Sequence, residues 1–244
     1  MGLLVFLGTV GVGKSTQISL LESRLVSKGF KVKATFLKTN HLFAYLLSIF
    51  LVRLIINKEK YSYPIRTLIE NKPELMKKVF TLWLALDSLS LSILFFIRVY
   101  LPTKMGKIVI IEEYFPATIS DYIYISKSIR YPIKGLSSII HYIQKLTYMG
   151  GSFMTIFLDT NTKDLLFHWK NRKSREELYT NIIIAPDYIG MQRSILLNIS
   201  KKLSHKLLYL RIDDKTIKET HKCIIEFLSK DWKYLQFDEG ANKR

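Results

Sequence analysis

The chain is poor in cysteine, proline, glycine and acids. Of 244 residues only Cys223 is a cysteine, so no intrachain disulfide can form and a reducing compartment is expected. Cys223 itself reads as a small apolar filler on a late helix. Six prolines and 11 glycines leave no low-complexity block, and neither an internal repeat nor a second domain is visible. Acids are scarce: 20 against 37 Lys and Arg, a net charge of +17. Such an excess suits polyanionic partners, namely nucleotides, nucleic acid or an anionic membrane surface, and it also suits a plain solvated surface.

Uninterrupted membrane-length runs are lacking too. Residues 41–52 are apolar but too short to span a bilayer. Residues 80–97 are longer, yet they contain Asp87 and four Ser or Thr, and a charge at bilayer depth is costly. A buried core helix is expected there, or an interface helix. The first apolar run has no basic flank and ends at a glycine loop. A secretory signal is therefore not expected, and a cytoplasmic setting is.

The central motif is GTVGVGKST, Gly8 to Thr16. It lies between an apolar run and a segment with helical spacing, which is the context a phosphate-binding loop requires. Gly8, Gly11 and Gly13 let backbone N–H groups converge on one anion-binding concavity. A helix starting beneath them adds its positive end. The motif assigns Gly8, Thr9, Val10, Gly11, Val12, Gly13, Lys14, Ser15 and Thr16 to the phosphates of a nucleoside triphosphate such as ATP. Lys14 would reach the β- and γ-phosphates, and the Ser15 hydroxyl would hold Mg²⁺.

Apolar runs at 3–7, 31–37, 107–111, 153–158 and 206–211 predict five strands. They alternate with helical segments at 14–28, 41–57, 65–70, 73–100, 117–129, 133–147, 163–170, 186–203 and 215–229. Pro102 is expected to stop the 73–100 run. This alternation predicts an α/β fold of the P-loop NTPase kind, a three-layer α/β/α arrangement on a five-stranded parallel sheet. Ligands of such sheets gather beyond the carboxyl ends of the strands. That rule groups the Gly8 loop, Lys38-Thr39-Asn40, Glu112–Tyr114 and Asp159. One domain over 1–229 and a tail over 230–244 are expected.

In this order the motifs resemble the thymidylate kinase family of nucleoside monophosphate kinases, over most of the chain. The family's phosphate loop carries Asp where this chain has Val10. Lys38, in LKTN, stands at the arginine of the family's R-E-P sequence. IIEEY matches its D-R-[YH] strand end, with Glu112 at the aspartate, Glu113 at the arginine and Tyr114 at the aromatic. Leu86-Asp87-Ser88 stands where the family has an arginine near the acceptor base. IFLDTNTK is similar to the family's L-D-x-x-P-E turn. The following segment, about 168–178, is similar to its arginine-bearing lid, with His168 and Arg172 at the two recurring arginines and Arg175 close by. The closing LLYLRIDDKTIKETHKCIIEFL is similar to the last strand, adenine-side loop and helix. The resemblance implies phosphoryl transfer from ATP to dTMP, Mg²⁺ on Ser15 and Glu112, and Arg172 and Arg175 as catalytic lid residues. It implies Lys38 and Glu113 at the acceptor, and a homodimer.

Two readings compete with this one. An apolar strand ending in two acids, Glu112-Glu113, also serves hydrolytic P-loop ATPases, with a nucleic-acid or membrane partner for the basic surface. A kinase homologue that binds nucleotide with little turnover is the other. Tyr114, Phe115 and Tyr122 either stack on an acceptor base or belong to the core. The 170–175 basic patch is either lid or solvated loop. His168 reads as structural, since no metal-ligand spacing surrounds it.

Overall fold

A computed structural model of the chain describes residues 2–56, 64–165 and 186–232. Five strands, β1 (Leu3–Gly8), β2 (Val32–Phe36), β3 (Ile108–Glu112), β4 (Met154–Asp159) and β5 (Lys206–Arg211), form one sheet in the order β2-β3-β1-β4-β5. Every pairing is parallel. The expected α/β class and five-stranded parallel sheet are therefore present.

Helices cover both faces, which is why β1 is buried at every position and reads as a continuous apolar run. The pleat splits its side chains between two cores. Leu3, Val5 and Leu7 pack with α2 (Leu42–Ile56), α4 (Pro73–Phe95), α6 (Phe115–Ser128) and α7 (Ser137–Met149). Leu4 and Phe6 pack on the opposite side with α1 (Lys14–Ser27) and α9 (Ile217–Asp231). α3 (Pro64–Asn71) abuts α2, and α8 (Pro186–Leu203) packs on α6.

Pro102 does not end its helix. α4 passes through one π-helical turn, Phe96–Tyr100, into a last turn α5 (Leu101–Lys104), with Pro102 in its first positions. The wide turn resets the hydrogen-bond ladder, so the missing proline N–H falls where a helix start has no partner for it. Thr103 then donates its hydroxyl to Val99 O at 2.7 Å. The whole stretch Pro73–Lys104 is long and apolar enough to cross a bilayer, yet half of its most apolar window is buried inside the protein. Asp87 is fully buried within it.

Candidate functional site

β1 leads straight into the phosphate loop because Gly8 can take φ 139°. A Cβ there would lie 2.2 Å from Leu158 O on the neighbouring strand β4, so no side chain fits. Gly13 caps α1 in the left-handed region, at φ 89°, and turns the first helical N–H groups toward the loop. This cradle fits a phosphate chain.

Lys14 is buried and folded back over the loop, donating to Gly8 O and Thr9 O at 3.0 Å each. Its Nζ also lies 3.7 Å from Glu113 and 4.0 Å from Glu112. Burial pushes the Lys14 pKa down, and the two carboxylates partly offset that. The Ser15 hydroxyl donates to the Glu112 carboxylate at 2.8 Å. β3 sits between β1 and β2, with Glu112 in register with Phe6 and Phe36, and this places its acid beside the loop. A hydroxyl and a carboxylate oxygen side by side are hard oxygen donors of the kind Mg²⁺ takes.

Glu113 has φ 56°, a conformation costly for a side-chain-bearing residue. Its N–H bonds Phe6 O at 3.0 Å and its carbonyl accepts from Leu37 N at 3.3 Å, strapping the ends of β1 and β2 together. Its carboxylate lies 3.0 Å from Lys38 Nζ. Burial pushes Glu113 up, but the Lys38 and Lys14 charges outweigh it and the pKa ends below the ordinary value. Lys38, Glu113, Lys14, Glu112 and Ser15 thus form one chain of alternating charge across the strand ends.

Beyond Lys38 two acids, Asp121 and Asp87, are buried and tied into the interior. Thr39 donates to Asp121 at 2.9 Å, Asn40 N to Asp87 at 2.8 Å, and the Tyr122 hydroxyl to the other Asp87 oxygen at 2.7 Å. Burial raises Asp87 to about 7, against the pull of the Tyr122, Asn40 and His41 hydrogen bonds. Asp121 escaped the sequence reading. Its one signal was being the sole acid within the apolar helix α6.

Three aromatic assignments are corrected. Tyr114, Phe115 and Tyr122 are fully buried and cannot offer a ring face to an acceptor base. Tyr114 and Phe115 pack on each other at 4.5 Å between ring centres, with Phe95 and Phe153 beside them. Tyr122 meets Trp83 edge-on. They follow a strand end into a helix that packs under the sheet, and burial of large rings wins. Asp159 is likewise engaged, by Arg193 Nε at 2.7 Å and the Tyr209 hydroxyl at 2.6 Å, and so pins α8 to the sheet.

On the other side of the loop, Gly11, Thr16, Gln17, Asp213, Lys215 and Thr216 border a cavity of about 690 Å³. Gln17 is held there by Ile217 O at 3.0 Å and His221 at 3.1 Å. Asp213 accepts from Asn161 N at 2.7 Å and from the Thr160 hydroxyl at 2.9 Å, and these bonds pull its pKa down. The cavity adjoins the phosphate cradle and suits the sugar and base of a nucleotide. His168, Lys170, Arg172 and Arg175, the expected lid, lie outside the described residues.

The fold has a counterpart among solved structures. The thymidylate kinase from Candida albicans matches over 94% of this chain and 91% of its own, at 16% identity and a TM-score of 0.53. The fold is thymidylate kinase-like. The thymidylate kinase of Ehrlichia chaffeensis is 17% identical, with 93% and 97% covered and a TM-score of 0.46. No family model matches the sequence, and no curated protein does. At these identities the thymidylate kinase likeness is one of backbone arrangement. The acceptor-side residues must be read from this chain alone.

Proposed function

We propose that the protein is an ATP-dependent nucleoside monophosphate kinase, with dTMP as the acceptor suggested by the fold and by the sequence resemblance. One observation carries the reading: the Ser15 hydroxyl, from the start of α1, and the Glu112 carboxylate, from the end of β3, meet at 2.8 Å beside a buried Lys14 in the phosphate cradle. In this reading Lys14 and the loop amides hold the donor phosphates. Ser15 and Glu112 would hold Mg²⁺, which when bound neutralises charge on those phosphates. The attacking oxygen of a phosphate monoester arrives already ionised, so no general base is needed. Its bond to the γ-phosphorus forms as the bond to ADP breaks. Arg172 and Arg175 would stabilise the equatorial oxygens from the lid. Lys38 would face the acceptor phosphate once Glu113 is drawn elsewhere.

Glu113 weighs against the hydrolytic alternative, because Lys38 and Lys14 engage the carboxylate that would have to polarise water. The same residue favours a second reading, a nucleotide-binding kinase homologue with little turnover. A carboxylate stands where the resemblance expects the acceptor-binding arginine.

A coupled ADP-release assay with saturating MgATP and each nucleoside monophosphate in turn separates the three. Release dependent on dTMP supports the kinase. Release without any acceptor indicates an ATPase. ATP binding by calorimetry without release in any mixture supports the low-turnover homologue.

A further inference from the structure

Lys38 stands at the head of a turn that its sequence does not favour. Between β2 and α2 the chain runs Lys38-Thr39-Asn40-His41-Leu42, and Asn40 and Leu42 take φ 64° and 43°. Asn tolerates the left-handed region, but a bulky side chain such as Leu42 is strained there. Such strain persists only where the surroundings over-determine the backbone. Two buried acids do so here. Asp121 of α6 accepts from the Thr39 hydroxyl at 2.9 Å. Asp87 of α4 accepts from Asn40 N at 2.8 Å and from the N–H of His41. On the next turn of the same helix the Ser90 hydroxyl accepts from Phe43 N at 3.2 Å.

Asp87 is a costly choice for this place. It is fully buried, and among the described residues its hydrogen-bond partners are neutral: two backbone N–H groups and the Tyr122 hydroxyl. A carboxylate buried among neutral donors lowers stability, and burial accordingly pushes its pKa up. Leucine would fill a similar volume without that penalty. What leucine cannot do is accept the N–H groups of the turn. A residue that breaks the burial rule in this way is expected where function needs it.

The turn in turn aims Lys38. On its other flank Leu37 N is held by Glu113 O at 3.3 Å, so the backbone on both sides of Lys38 is fixed. A cation on a long flexible stem keeps one direction only when its backbone is held in this way. We infer that Asp87 is a positioning residue for the acceptor, holding the turn after β2 so that Lys38 is aimed at the acceptor's phosphate. This role rests on the kinase reading proposed above. The donor cradle is held by other bonds, those of Lys14 to Gly8 O and Thr9 O. Loss of Asp87 should therefore act on one substrate and spare the other.

Steady-state kinetics of the full chain test it, with MgATP as donor and, as acceptor, the nucleoside monophosphate that the parent uses, dTMP first. Asp87→Leu should raise the acceptor KM about tenfold, the worth of one or two lost hydrogen bonds, while the ATP KM stays within about twofold. Asp87→Asn keeps an oxygen that can accept from the turn and should return the acceptor KM close to that of the parent. Should Asp87→Leu misfold, Thr39→Val cuts the Asp121 tie with little change of shape and should raise the same constant. An unchanged acceptor KM in the folded variant overturns the role of Asp87. So does an equal rise in both KM values, which a general loosening of the core would give. A parent that releases no ADP with any nucleoside monophosphate sinks the kinase reading itself, and the role of Asp87 with it. A parent that turns over beside variants with unchanged constants sinks only the role of Asp87.

Discussion

Lys38 and Glu113 are joined at 3.0 Å, and the same carboxylate stands 3.7 Å from the phosphate-loop lysine Lys14. One acid therefore holds apart two cations that both lie where phosphates would bind. Removing it has opposite effects on the empty and the loaded protein. Glu113→Gln leaves Lys38 and Lys14 facing each other in a poorly solvated place. It should lower stability by about 1–3 kcal/mol, within the range for a broken, partly buried ion pair. MgATP should restore more stability to the variant than to the parent, because bound phosphate replaces the lost charge. Urea titrations with and without MgATP measure both, and equal ligand gains for the two proteins would remove Glu113 from the phosphate site.

Asp87 makes stability depend on pH. Its pKa rises from 3.8 to about 7, so the folded protein holds this proton more tightly than the unfolded chain does. The stabilisation is fully present below the unfolded value and is lost as pH rises through about 7. Between these limits the slope reaches at most ~1.4 kcal/mol per pH unit. Asp87→Asn cannot ionise and should remove this part of the slope. Urea midpoints from pH 5 to 8 give the answer, and parallel curves for both proteins would contradict the burial argument.

Among the described residues the buried Tyr114 hydroxyl has no hydrogen-bond partner. Tyr114→Phe deletes an unsatisfied polar group and should stabilise the fold by roughly 1 kcal/mol. Thermal melts decide it: a lower midpoint would mean that the hydroxyl is satisfied in solution.

Lys14→Ala should cut turnover by about a hundredfold or more, the usual loss when a donor to transferring charge is deleted. Single-turnover phosphoryl transfer reads this directly, and retained activity would exclude Lys14 from the chemistry.

Under the proposed function Arg172 acts from a lid only as the phosphoryl group transfers, so Arg172→Ala should lower kcat by about a hundredfold while ATP affinity changes little. Calorimetry beside steady-state kinetics separates the two quantities. Equal losses in both would place Arg172 in ground-state binding.

The sequence by itself determined the phosphate loop, the alternation of strands and helices, and the parallel sheet. These depend on near neighbours: the spacing Gly8–Gly13–Lys14–Ser15, apolar runs such as Leu3 to Leu7, and periods of 2 and 3.6. Glu112 beside Ser15 was legible as well, because strand ends converge in such folds. Only the tertiary structure decided the fate of Tyr114, Phe115 and Tyr122, since an aromatic after a strand end reads alike whether it faces a cleft or the core. It also decided that Pro102 is absorbed by a π turn, that Asp87 points inward, and that Glu113 sits between Lys38 and Lys14. Each of these depends on segments far apart in the chain being brought into register. Charge and burial are sums over all neighbours in space, and a linear pattern records only the neighbours along the backbone.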